Sequence, residues 1–282
     1  MESQSFVVLG KGRTFCVNAR VTCHYLEIVQ IQTLVIKQTT IIMKKTLMTI
    51  IILWTVPVYG QSFEGTLSYI SDFELAENMK KMGMTKEMLH DKMKQDGSYS
   101  DTIKISYKQG NYYILTNNNP KSWSIYKAET NKIYTMQDGD AADICTVTDA
   151  SIDLQFTMTS KMPTIEKLDT TVIVGGVSCS IVRVKWKSGT YDYYYDPTKL
   201  TVDPALFSKH VYDGWADFLK ISKALPVKIV KTTKGMMTVT MTLVTTKTEV
   251  IDEKLFSIPK LVPDKDLNLI KIANREVMRV KK

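Results

Sequence analysis

Past residue 60 the chain has two histidines, His90 and His210, and a hydrolase would have to draw its general base from them. His90 lies in a lysine-rich stretch of helix formers and His210 follows Ser208-Lys209 among turn residues, so both read as solvent-exposed bystanders. Gly176-Val177-Ser178-Cys179-Ser180 approaches a nucleophile elbow but lacks the closing glycine. It also runs on into a strand-like segment, Ile181–Trp186, where an elbow must enter a helix. Asp138, Asp140 and Asp143 offer carboxylates around Gly139 without the spacing or closing Glu of a calcium loop, so a solvated hairpin turn is the reading. No C-x-x-C pair is present to hold zinc or run redox chemistry. No catalytic residue, metal ligand set or cofactor is expected.

Binding is better served than catalysis. Tyr191-Asp192-Tyr193-Tyr194-Tyr195-Asp196, read as a strand, puts Tyr191, Tyr193 and Tyr195 on one face. Such rings line a cavity and also offer hydroxyls, or they simply pack a core. Met79, Met82, Met84, Met88 and Met93 crowd one helical stretch, where flexible thioethers suit either an adaptable apolar contact or a core. If that stretch plugs a cavity, Met82, Met88, Tyr193 and Tyr195 are the side chains expected to meet a ligand.

The elements that must position these residues are mostly strands. Phe63, Leu67, Tyr69 and Phe73 alternate with Glu64, Thr66, Ser68 and Asp72, the pattern of a strand with one buried face. Residues 74–95 then change to helix formers broken near Gly83, and alternation returns after Gly97. Gln109-Gly110-Asn111, Glu129-Thr130-Asn131, Gly175-Gly176, Ser188-Gly189 and Lys234-Gly235 punctuate strand-like runs as hairpin turns. Ile152, Leu154, Phe156 and Met158 alternate as a further strand, and Trp215, Phe218 and Leu219 mark a second helical element within 204–224. About ten or eleven strands at this spacing predict a mainly β fold with helical insertions. The sheet should be antiparallel and strongly curved, not a βαβ parallel array.

The composition is compatible with that reading. The 282 residues are 44% hydrophobic, enough for a large core, while 13 Gly and 8 Pro are too few for a low-complexity chain. A net charge of +8 hints at nucleic acid, but residues 1–60 hold six Lys/Arg against two acidic residues, leaving 31 against 27 in the rest. The body is a mixed-sign surface without a basic stripe, so no nucleic-acid partner is expected.

Met43-Lys44-Lys45, the apolar run Leu47–Val56 and Val58-Tyr59-Gly60 have the form of a secretory signal peptide over residues 43–60. The apolar run is shorter than the about 20 residues of a spanning helix, and no lipidation Cys follows it, so no membrane anchor is expected after cleavage. Met43 is the expected initiator, with residues 1–42 an upstream leader without a fold and 61–282 a single domain. Cys145 and Cys179 then remain in an oxidising compartment. A bond between them would close a loop worth about 4 kcal/mol, against the alternative of two separate buried thiols.

The order of parts resembles a group of secreted Gram-negative envelope proteins, the GLPGLI-like and related domains whose fold is similar to the periplasmic lipoprotein carriers. The residues that carry the resemblance are Phe63-Glu64-Gly65-Thr66-Leu67-Ser68-Tyr69, Tyr126-Lys127-Ala128-Glu129-Thr130-Asn131-Lys132-Ile133-Tyr134, Val174-Gly175-Gly176-Val177-Ser178-Cys179, Tyr193-Tyr194-Tyr195-Asp196 and Leu255-Phe256-Ser257-Ile258-Pro259. The Gly-Leu-Pro-Gly-Leu-Ile signature itself does not occur. The resemblance implies an unclosed antiparallel barrel wrapped over helical segments around an apolar cavity, with no catalytic residues. The expected protein is therefore a periplasmic or secreted, non-enzymatic carrier of a lipid or acyl chain. The rival is an envelope structural protein, with a protein partner and a fully packed sheet interior.

Overall fold

The computed structural model describes residues 7–10, 13–16, 62–95, 99–264, 266–267 and 272–281. Met1–Val58 and Tyr59–Lys282 form two compact units. In the first, β1 (Val7–Gly10) pairs antiparallel with β2 (Arg13–Cys16), so the stretch expected to lack any fold carries a hairpin. Residues 43–60, expected as a signal peptide, lie outside the described residues.

The second unit is one antiparallel sheet of thirteen strands, open at both ends. Its logic is two meanders joined at their ends. β3 (Gly65–Leu75) leads through β4 (Thr102–Lys108), β5 (Asn111–Thr116), β6 (Ser122–Lys127) and β7 (Lys132–Gln137) to β8 (Ile144–Asp149). The chain then crosses to the opposite edge. β9 (Thr164–Val174), β10 (Val177–Trp186), β11 (Gly189–Tyr195), β12 (Lys228–Thr233) and β13 (Met237–Thr248) run back until β13 pairs with β3. β14 (Leu261–Pro263) and β15 (Arg275–Val280) extend the sheet beyond β8.

Local chemistry fixes the hairpins. Gly175 and Gly176 both take positive φ between β9 and β10, the two-residue turn whose twist matches the flanking strands. Bulges between Ser180/Ile181 on the β10–β9 pair and between Leu243/Thr245 on the β13–β3 pair add twist, which a sheet this wide needs in order to curl.

Leu67, Tyr69 and Phe73 share the buried face of β3, as the alternation requires. The helical insertion is α1 (Glu77–Lys81) and α2 (Lys86–Gln95), broken across Gly83. Its Met79, Met84, Leu89 and Met93 pack on Phe73, Leu75 and Tyr99 in a cluster of their own. Ile152–Met158 is not a strand. The Asp153 carboxylate accepts the Phe156 N–H at 2.8 Å and starts a helix, α3 (Leu154–Thr159), that overrides the alternating pattern.

The second helical element covers the main core. Pro204–Phe207 and Tyr212–Gly214 are 3-10 turns leading into α4 (Trp215–Ser222). α4 buries Trp215, Phe218 and Leu219 against Tyr193, Tyr195 and Val184 of the sheet. A separate cluster on β6–β8 (Ile125, Met136, Cys145 and Val147) is capped by Ile251 and Phe256.

Candidate functional site

Between the inner face of the sheet and the 204–224 cover lies a cavity of about 450 Å³. One wall is apolar: Ile105 and Ile114 on adjacent strands, with Ile229 and Met241 across from them. The rings of Tyr69, Tyr107 and Tyr193 sit on the same side. The other wall carries hydroxyls, Ser124, Thr135, Thr146 and Thr148 on β6, β7 and β8, with Arg275 of β15 beside them. The cover contributes His210, Tyr212, Asp213 and Trp215.

The cover is pinned by backbone polar groups that would otherwise be stranded. The Ala150 carbonyl accepts the N–H groups of Val211 and Tyr212 at 2.8 and 3.0 Å, and the Asn131 amide donates to the Lys209 carbonyl at 2.8 Å. Asn131 in turn accepts the Tyr126 hydroxyl at 2.9 Å. These bonds hold His210 against the stacked Tyr112 and Tyr126 rings, its Nε2 2.8 Å from the Tyr112 hydroxyl. His210 is therefore buried, not the exposed bystander its polar sequence neighbours imply. Burial lowers its pKa to about 4 and raises that of Tyr112, so at neutral pH the pair is an uncharged imidazole against an intact phenol.

Asp213 adopts positive φ, and the Tyr193 hydroxyl donates to its carbonyl at 2.8 Å. Its carboxylate accepts from Lys231 Nζ at 2.8 Å, while that ammonium sits 4.6 Å from the Tyr191 ring centroid. Burial works against the Lys231 charge, but the Asp213 carboxylate outweighs it and the lysine pKa is raised. Gly214, next in the chain, lets the cover approach β10: a Cβ there would stand 2.7 Å from Val184 Cγ1.

Of the four expected ligand contacts, Tyr193 alone lines the cavity. Tyr195 is buried one layer away, edge-on to Phe218 at 6.1 Å. Met82 and Met88 point to solvent, 79% and 62% exposed, because α1 and α2 pack beyond the cavity on Phe73 and Leu75. The plug is the Trp215 element. Its signal was present in the sequence, as Asp213-Gly214 before a Trp-x-x-Phe-Leu spacing, but nothing local says which part of the sheet it meets.

Cys145 and Cys179 are free, buried thiols. The disulfide alternative is thereby corrected. Cys145 sits on β8 within the Ile125 cluster and Cys179 on β10, near the opposite edge of the sheet order. Burial pushes the Cys145 thiol up to about 11 and raises Cys179 as well, so neither is a ready thiolate. Around the acidic turn, Gly139–Ala141 is a 3-10 turn and Asp143 pairs with Arg279 at 2.5 Å. His90 stacks on Phe73 with ring centroids 6.2 Å apart, partly covered and outside the cavity.

No family model matches this chain, and no curated protein matches it. Among solved structures, PNGF-II is similar in two crystal forms. In space group C2 the TM-score is 0.35 at 12% identity, covering 69% of this chain and 29% of PNGF-II. In P21 the values are 0.37, 13%, 70% and 30%. The chain thus spans under a third of the PNGF-II chain, and the likeness carries nothing toward the chemistry of the cavity.

Proposed function

We propose that this protein is a non-enzymatic, periplasmic or secreted carrier that shelters an apolar ligand, a lipid or acyl chain, inside the curved sheet. The observation that supports it is the cavity. About 450 Å³ of space falls in the usual range of small-molecule sites, and isoleucine, methionine and tyrosine faces can take hydrocarbon from water. Each buried CH₂ contributes about 0.8 kcal/mol, so a long fatty chain of about fifteen CH₂ supplies about 12 kcal/mol, enough for micromolar binding after an association cost of about 4 kcal/mol. The titratable groups around the cavity fit sheltering better than turnover, since His210 is held neutral, Tyr112 keeps its proton and the Lys231 charge is matched by Asp213. Export rests on the form of residues 43–60.

The test is saturable binding of a fluorescent fatty-acid probe to the purified protein, with native mass spectrometry of material isolated gently. Ile114→Trp and, separately, Met241→Trp fill the apolar end and are expected to reduce probe affinity at least tenfold while the folded spectrum persists. Only apo protein by mass and no binding above background would sink the carrier and favour a packed envelope component.

A further inference from the structure

Two cross-strand rows run along the floor of the cavity, and both change character in the same direction. In one, Ile105 pairs with Ile114, Ile114 with Ser124, Ser124 with Thr135 and Thr135 with Thr146, one residue per strand from β4 to β8. In the other, Tyr107, Tyr112, Tyr126, Ile133 and Thr148 follow one another across the same strands and end at Arg275 on β15. Rings and branched aliphatics therefore give way to hydroxyls, and the hydroxyls to a guanidinium. At about 4.8 Å per strand the path from Ile105 to Arg275 is about 24 Å along the sheet.

The charges along this path are unequal. Lys231 on the far wall is matched by Asp213 at 2.8 Å. Arg279, further along β15, is taken up by Asp143 and Asp264 at 2.5 Å each. Arg275 touches the Tyr212 hydroxyl at 3.3 Å and, among the described residues, has no carboxylate within ion-pair distance. It is the cation at the cavity wall left without a counter-charge, and it stands where the hydroxyls are densest. A guanidinium fork beside Thr146 and Thr148 matches the two oxygens of a carboxylate, and its partial exposure lets a charged head stay close to water.

We infer that the cavity takes an amphiphile with a carboxylate head, a free long-chain fatty acid. The carboxylate pairs with Arg275 beside Tyr212, and the hydrocarbon lies toward Ile105, Ile114 and Met241. The inference rests on the carrier reading above and adds the head group and the direction of the chain. A neutral ester of equal length fills the same apolar end but leaves Arg275 unmatched.

Isothermal titration with palmitate, methyl palmitate and a long-chain alkyl phosphate separates the cases. Palmitate is expected to bind at least tenfold tighter than its methyl ester and to weaken as salt rises. Arg275→Gln is expected to remove that tenfold preference, and Arg275→Lys to restore part of it. Because Arg275 lies at the surface, a wild-type circular dichroism spectrum and urea midpoint are expected of both variants and report that they are folded. Equal affinity for acid and ester, or an Arg275→Gln variant that still prefers the acid, overturns the head-group assignment and leaves the carrier standing. Tighter binding of the alkyl phosphate overturns the carboxylate class. Binding of none of the three overturns the carrier and this assignment with it.

Discussion

A histidine walled by two tyrosine rings and kept neutral makes stability depend on pH in a definable window. The His210 pKa is about 4 in the folded protein against 6.5 for an unperturbed imidazole, so between those values the unfolded chain binds more protons than the folded one. The contribution is fully present above pH 6.5 and is lost as pH falls toward 4, at most about 3 kcal/mol. Urea midpoints measured across this range are expected to fall more steeply for the wild type than for His210→Gln. Parallel curves would show that His210 is not held neutral in the fold. This residue also marks the limit of sequence reading at its own scale. Its neighbours Ser208 and Lys209 are polar, and the ring that buries it, Tyr112, is 98 residues away. Tyr193 was legible because alternation along a single strand assigns its face. Tyr195 shares that face but meets α4 and not the cavity, a difference that belongs to the cover and not to the strand.

The cover is the element on which the site depends, and at Gly214 it lies tight against Val184 of β10. The Gly214 φ is +69°, and an added Cβ would press on Val184. Gly214→Ala combines left-handed strain of about 1–2 kcal/mol with overpacking of about 1–3 kcal/mol. A loss of roughly 2–5 kcal/mol is expected in chemical denaturation. Pairing it with Val184→Ala should return part of the overpacking cost and none of the strain, and full recovery would show that the backbone at Gly214 is unstrained. Elements of this kind were partly legible. Turn chemistry located the hairpins, and the break at Gly83 separated α1 from α2. Ile152–Met158 failed because four apolar residues at period two also fit a short capped helix whose Phe156 and Met158 stay exposed, at 42% and 72%. Asp153 decides between them, and it is buried because Trp186 Nε1 donates to its other oxygen at 3.0 Å.

At the scale of the whole molecule, the close spacing of the strand-like runs, most of them joined by short turns, made an antiparallel sheet the expected architecture, and the thirteen strands show it. The pairing of β3 with β13 was not legible, since those strands are far apart in sequence. Nor was the position of the methionine-rich helices. They match the inner face in composition, but curvature decides which part of that face is already occupied by the Trp215 element.

An unclosed sheet has a first and a last strand, and β9 is one of them, with β10 its one strand partner among the described residues. Among those residues no strand covers the outer row of peptide groups along Thr164–Val174, which can template another chain. The first half of β9 is protected: Glu166, Lys167 and Asp169 place charges there, and the bulge at Ser180/Ile181 twists it away. The second half, Thr171–Val174, has no charge, and Ile173 is 67% exposed. Crowding should therefore test this protein at one hairpin tip, and self-association at high concentration is expected to start there. Ile173→Lys should raise the concentration at which light scattering appears without moving the denaturation midpoint, and an unchanged threshold would place the vulnerable edge elsewhere.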